Sequence, residues 1–361
     1  MNIIDSTDAF ETWLKKQLKD AFVPEDLKKK RRKMRTGPFP FLRATYYRWA
    51  ETILTQCPEL ASAPSVVAVG DIHLENFGTW RDNDGRLIWG VNDFDEAAEM
   101  PYALDLVRLA VSAAVGCPHI HASWICDNVL TGYRHGLRDP HPIVLDERYA
   151  WLREVTVVPN SERSKFWRDM EKLTSKKKKK KVKKPPNGFH KALMAAMPEP
   201  KPKMKLGPRS AGLGSLGRAR WIAVAEWHGG PVVREAKAVL PSAWTRVKGR
   251  KAQPIQSLAL ATALYRAPDP WYALAGKIVV RRLSPNNRKL EAEDNAAILI
   301  DDRMLRLMGR DLAAVHLGLG DHGDSVRSDL NERKHDWLKS AVEHMAEFVC
   351  KEQEQFKNAP Q

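Results

Sequence analysis

The stretch from Val66 to Asp95 restricts the fold of this chain more than any other. The apolar run Val66 to Val69 reads as a short strand, and it ends in Gly-Asp-Ile-His-Leu-Glu-Asn-Phe-Gly, residues 70–78. A strand that opens into a polar loop is a common seat for catalytic groups. Thr79-Trp-Arg81, a turn at Asp82-Asn-Asp-Gly85 and a return run Leu87 to Val91 predict a hairpin. The return strand brings Asn92-Asp93-Phe94-Asp95 back to the first loop, so Asp71, Asn76 and Asp93 can converge on one point. Phosphoryl transfer needs such a set. One carboxylate can orient or deprotonate an acceptor hydroxyl, while an amide oxygen and a second carboxylate hold Mg²⁺ against nucleotide phosphates. Taken alone, Asp-x-x-x-x-Asn reads as a capped turn with a backbone-satisfying Asn. The hairpin, the Asp-Phe-Asp end and Asp105 at the start of a helical Tyr-Ala-Leu-Asp-Leu-Val-Arg-Leu-Ala run tip the reading toward chemistry.

A chain of 361 residues with 43% hydrophobic content can bury a sizeable core, as two globular units or one bilobal one. Cys57, Cys117, Cys126 and Cys350 have neither CxxC nor metal-ligand spacing, and no signal-like segment opens the sequence. Reduced thiols and a cytoplasmic location are the expectation. No apolar run approaches the roughly 18–20 residues that span a bilayer. The net charge of +15 points toward anionic partners, but much of the excess is local. Lys176 to Lys181, then Lys183 and Lys184 before a Pro-Pro pair, read as a solvated linker, the alternative being a weak nucleic-acid or acidic-partner contact.

Periodicity predicts a first helix from Asp5 to Lys19 with Asp5 as its cap. After the basic stretch Lys28 to Arg35, it predicts a helical pattern from Pro38 to Leu54 with Arg43 in its first turn. Further helices are expected over Pro101–Val115, Ser123–Leu137, Glu162–Lys172, Ile255–Tyr265, Ala292–Leu317 and Asn331–Lys357. Strands are expected over Trp221–Trp227, Val232–Val239 and Lys277–Leu283. The organisation that follows is N-terminal helices (1–60), a catalytic and metal-binding segment (61–172), a Lys/Pro-rich linker (173–205), a β-rich segment (206–285) and C-terminal helices (286–361).

Gly212, Gly214 and Gly217 match Gly-x-Gly-x-x-Gly, with Lys237 on the second strand that follows. Glycines let backbone N–H groups approach phosphate, and a strand lysine supplies a point charge to it. The motif alone is weak, and Lys237 can equally be a surface lysine. A paired glutamate is expected on the next helix, yet Ile255 to Tyr265 contains none, Gln256 being nearest. Of Arg281 and Arg282, alternate on a strand, at most one points at the site. His316, Asp321, His322 and Asp324 resemble a metal cluster but fall at a helix end, where capping is the commoner use. Trp80, Trp89 and Trp244 suit core packing better than a pocket wall.

Residues 69–110 resemble the catalytic segment of the aminoglycoside and choline phosphotransferase branch of kinase-like folds: Gly-Asp-x-His-x-x-Asn, then an Asp-Phe motif, then Asp-Leu. The chain is more specifically similar to the uncharacterised bacterial family called domain of unknown function 2252. The matching stretches are Pro-Phe-x-Phe-Leu-Arg (38–43), residues 70–78, Asn-Asp-Phe-Asp-Glu (92–96), Lys237, Arg281-Arg-Leu283 and Leu312-Ala-x-x-His316. The resemblance implies an α+β, bilobal, protein-kinase-like fold with a mostly helical larger lobe. Its lobe order is permuted, since the glycine loop follows the catalytic loop. It implies Asp71 as catalytic aspartate, His73 as its loop partner, Asn76 and Asp93 as metal ligands assisted by Asp95 and Glu96, Asp105 as loop anchor, and Arg43 and Arg281 in support. The expected activity is ATP- and Mg²⁺-dependent phosphotransfer to a small acceptor. Nucleotidyl transfer, a protein acceptor, or a degenerate binding module with a basic contact are the alternatives.

Overall fold

The first helix forms as α1 (Ile3–Leu18) in the computed structural model, which describes residues 1–175, 184–249 and 253–360. It starts earlier than the expected Asp5 because Asn2 is the cap: its side-chain oxygen accepts from the backbone N–H groups of Ile4 and Asp5, both at 2.9 Å. The basic stretch is itself helical, as α2 (Pro24–Met34). Pro24 leads, Glu25 and Asp26 sit in the first turn, and Arg31, Arg32 and Lys33 sit in the last, each sign where the helix dipole favours it. The single pattern expected up to Leu54 splits at Thr45 into α3 (Pro38–Ala44) and α4 (Tyr46–Gln56). The Thr45 hydroxyl donates back to the Phe41 carbonyl at 2.7 Å, which competes with helix continuation.

β1 (Ser65–Ala68), β2 (Phe77–Arg81) and β3 (Leu87–Val91) lie where the sequence reading places them, and β2 and β3 form the hairpin. β4 (Ala98–Pro101) was not foreseen; it pairs antiparallel with β1, Val66 opposite Met100. Two long helices follow, α5 (Ala103–Gly116) and α6 (Ala122–Arg138). β5 (Ile143–Val144) then joins β3, and α7 (Ala150–Thr156) and α8 (Asn160–Thr174) come next.

The lysine run at residues 176–183 lies outside the described residues. The rest of the expected linker is not all linker, for α9 (Asn187–Ala195) buries Phe189 and Leu193. Beyond it, β6 (Lys205–Pro208), β7 (Arg220–Trp227) and β8 (Gly230–Ala238) are followed by the short α10 (Ala243–Val247) and α11 (Ser257–Ala261). β9 (Ala273–Ala275) and β10 (Ile278–Leu283) complete an antiparallel sheet in the order β6-β7-β8-β10-β9. The helix expected to reach Tyr265 therefore stops at Ala261. The chain must turn there so that Arg266 can reach Asp311 at 2.9 Å, with Ala267 accepting from the Trp80 indole at 2.7 Å.

The pattern over Ala292–Leu317 is two helices, α12 (Ala292–Leu299), kinked at Asn295, and α13 (Asp302–Leu317), capped by Asp301. α14 (Gly323–Glu332) was missed, and the last helix, α15 (Trp337–Asn358), starts later than the expected Asn331. The α6 and α13 helices pack backbone to backbone: a Cβ on Gly309 would meet the Val129 carbonyl at 2.2 Å. The chain is thus a mixed α+β protein whose main apolar core runs from Leu14 through Leu109 and Trp221 to Met345, with smaller clusters around Ile88 and around Ile222. The expected lobes share that core. Among the described residues no helix is long and apolar enough to cross a membrane, and all four cysteines are free thiols.

Candidate active site

Gly70, two residues past the end of β1, has φ +77°, a conformation that side chains rarely adopt, and a Cβ there would stand 2.5 Å from the Glu96 carbonyl. The next residue, Asp71, is aimed by this bend. Asp105, wholly buried at the start of α5, anchors the bend: its carboxylate accepts from the Val69 N–H at 2.7 Å and the Gly70 N–H at 2.9 Å. His316 Nε2 lies 3.1 Å from the same carboxylate, and its Nδ1 lies 2.8 Å from the Tyr133 hydroxyl. His316 is therefore part of the loop anchor. Among the described residues no group of three His, Cys, Asp or Glu side chains is placed to hold a metal, so the candidate cluster around Asp321, His322 and Asp324 does not assemble.

Asn76 ties the two halves of the site together. Its amide nitrogen donates to the Asp71 carbonyl at 3.1 Å and the Asp93 carbonyl at 3.0 Å, and its side-chain oxygen is buried with no hydrogen-bond partner. Asn76 lines the same cavity as Asp71, Asp93 and Asp95. Amide and carboxylate oxygens are the donors a hard divalent cation prefers, so Asn76 and Asp93 fit Mg²⁺ in chemistry, with water and phosphate left to complete the shell. His73 does not face outward as a base. Its Nδ1 accepts from the Glu75 N–H at 3.1 Å, and burial, with the charges of Arg43 and Lys289, pushes its pKa well below the usual range. The neutral ring holds the loop in shape.

The carboxylates after β3 are compensated by the β-rich segment. Lys237 Nζ, on β8, lies 2.6 Å from Asp95 and 3.3 Å from Asp93. Burial alone pushes the Asp93 carboxyl up, but Lys237, Arg281 and Lys289 overcome it and hold it far below the usual carboxylate range. Asp95 is raised, by burial and then by the Asp93 charge beside it. Glu96, expected to assist a metal, is turned away onto Arg218 at 2.7 Å and the Ala243 N–H at 2.6 Å. The expected glutamate partner of Lys237 is absent from α11. A glutamate on the sheet, Glu235, instead gathers Arg209, Arg220 (2.7 Å) and Arg281 (2.9 Å) and is held well below its normal range despite burial. Arg281 thus reaches the site side of β10, whereas Arg282 pairs with Asp269 at 3.1 Å.

The glycine loop closes the hairpin of β6 and β7, since β6, missed in the sequence reading, pairs with β7. Gly212 and Gly217 have φ of +75° and +98°. Gly214 lies directly over the loop of Asp71: a Cβ there would stand 3.0 Å from Asp71 Oδ2 and 3.2 Å from the Arg43 carbonyl. Arg43 itself pairs with Glu75 at 2.5 Å. On one side of this contact opens a cleft of about 1120 Å³, where nine Lys and Arg side chains face four Asp and Glu, Lys33, Arg281, Arg288 and Lys289 among the basic ones. On the other lies a small cavity of about 60 Å³ that also reaches Asp71 and Asp93.

Sequence reasoning missed Arg108, which is fully buried and bonds Asp71 Oδ1 at 2.5 Å and the Leu42 carbonyl at 2.9 Å. A signal was there: Arg108 is a lone cation in an apolar helix, one turn after Asp105 and on the same face. Lys289, Arg218 and Lys30 carried no comparable signal.

No curated protein and no solved structure matches the chain at a significant level. Residues 22–194 do match a family model, described as an uncharacterized protein conserved in bacteria. That segment, which is similar to the family DUF2252, holds α2, the Asp71–Asn76 loop, the Asp-Phe-Asp stretch after β3 and the Asp105 anchor.

Proposed function

We propose that the protein is an ATP- and Mg²⁺-dependent phosphotransferase with a kinase-like site that acts on a small-molecule acceptor. The observation that carries the reading is Asn76: its amide bridges the backbones of Asp71 and Asp93, its buried oxygen is left without a partner, and it lines one cavity with both aspartates. The basic cleft alongside, floored by a glycine hairpin, suits a triphosphate. Asn76 and Asp93 would hold the Mg²⁺, which when bound offsets phosphate charge. Asp71 takes the proton of the acceptor hydroxyl as its oxygen bonds to the γ-phosphorus. The bond from that phosphorus to the bridging oxygen breaks, and ADP leaves with the electron pair. Arg108, fixed on Asp71 Oδ1, leaves Oδ2 to face the acceptor.

A second reading is favoured by Lys237. Its ammonium is already ion-paired with Asp95 and Asp93, as in a binding module that holds nucleotide without turnover. Calorimetric titration of Mg²⁺-ATP into wild type and Asp93→Ala, followed by an assay for ADP release, decides between them. Binding lost in the variant, with wild-type turnover, supports the enzyme; binding without turnover supports the module. No binding by wild type refutes both.

A further inference from the structure

We propose that the small cavity behind Gly214 is a binding subsite for a small hydroxy-carboxylate, the acceptor of the reaction; this rests on the phosphotransferase reading. Its distinguishing feature is Lys30. Within the basic run of α2, Lys30 and its helix mates Asp26 and Met34 are buried while the other lysines and arginines are not. Lys30 is 4% exposed, and its ammonium enters the cavity beside Phe10 and Tyr47, whose ring centroids are 5.4 and 5.7 Å away.

An ammonium carries three donors. Among the described residues, Lys30 has a single hydrogen bond, to the Gly214 carbonyl at 3.3 Å, and no carboxylate within 4.0 Å. The acids nearby are already engaged. Arg108 takes Asp71 Oδ1, Lys237 takes Asp95, and Arg218 and the Ala243 N–H take Glu96. A buried cation without a counter-ion is costly, and a ligand carboxylate would supply one, with Arg218 on the same wall. Burial, with the Arg218 charge, lowers Lys30 to about 8, against the pull of Glu11, Asp71 and Glu96, so those acids do not make up the deficit.

Position argues the same way. Gly214 carries Lys30 on its carbonyl and Asp71 Oδ2 against its α-carbon, so one short molecule can set its carboxylate on Lys30 and its hydroxyl on Asp71. At about 10–15 Å³ per water, a cavity of about 60 Å³ admits some four to six heavy atoms. Asp93 and Lys289 border both this cavity and the basic cleft, which places the acceptor next to the phosphates.

The test is calorimetric titration of three matched probes, glycolate, ethylene glycol and ethanolamine, into the full chain at neutral pH. Glycolate is expected to bind about tenfold or more tightly than either other probe, and Lys30→Met to weaken it by about tenfold. The wild-type ranking needs no variant. Equal or tighter binding of ethanolamine or ethylene glycol, no binding of any probe, or unaltered glycolate binding by a folded Lys30→Met protein overturns the proposal. Mg²⁺-ATP is titrated separately: its failure to bind removes the phosphotransferase reading, while a glycolate preference leaves the anion subsite standing.

Discussion

The substitution Asp105→Asn isolates how the loop that carries Asp71 is held. The Asp105 side chain is wholly buried, and its two oxygens accept from different backbone donors, Oδ2 from Val69 and Oδ1 from Gly70. Asparagine keeps the shape but presents one oxygen and one amide nitrogen. Whichever way it is turned, one of the two backbone N–H groups must face another N–H, and the remaining bond loses its charge. A charge-assisted hydrogen bond contributes about 1.5–3 kcal/mol, and a buried unsatisfied donor costs about 1–3 kcal/mol, so the expected destabilisation is about 3 kcal/mol. Urea denaturation of wild type and variant, followed by circular dichroism, should show a lower midpoint with an unchanged slope. A difference below about 0.5 kcal/mol, the range of an ordinary surface change, would refute the anchoring argument.

Gly309→Ala should separate α6 from α13, because the new Cβ would meet the Val129 carbonyl at 2.2 Å and the Tyr133 nitrogen at 2.9 Å. The expected loss is about 3 kcal/mol, read from thermal melts, and a melt that matches wild type contradicts this packing. The buried Lys30 also predicts a pH dependence. Its pKa falls from 10.5 to about 8 on folding, so below about 8 both states are protonated and the full cost of the buried charge is present. Between about 8 and 10.5 only the unfolded chain keeps the proton, and stability contributed by this group rises with pH. The stability of wild type relative to Lys30→Met should therefore climb by about 3 kcal/mol over that window, and a flat difference counts against the burial of its charge.

Much of the site was legible because it is local. The Asp82-Asn-Asp-Gly85 turn and the strands around it bring Asp93 back to the loop of Asp71 and Asn76 within one short stretch of chain. Asp105 was legible for the same reason, sitting at the head of a periodic helix that follows the hairpin. Periodicity also found α5, α6 and the paired β7 and β8, whose side chains repeat along one element.

The remainder depended on partners far away in the chain. Ile255–Tyr265 looks helical until Arg266 is needed at Asp311, and Pro38–Leu54 looks continuous until Thr45 bonds backward. The pairing of Lys237 with Asp93 and Asp95, of Arg108 with Asp71, and the lone ammonium of Lys30 under Gly214 join segments with no shared pattern. A charged residue looks the same in a sequence whether solvated or buried, so its role follows from desolvation and from the charges folded around it. The sequence by itself determined which oxygen donors meet at the hairpin; tertiary structure alone decided which cations neutralise them and which cation is left waiting for a ligand.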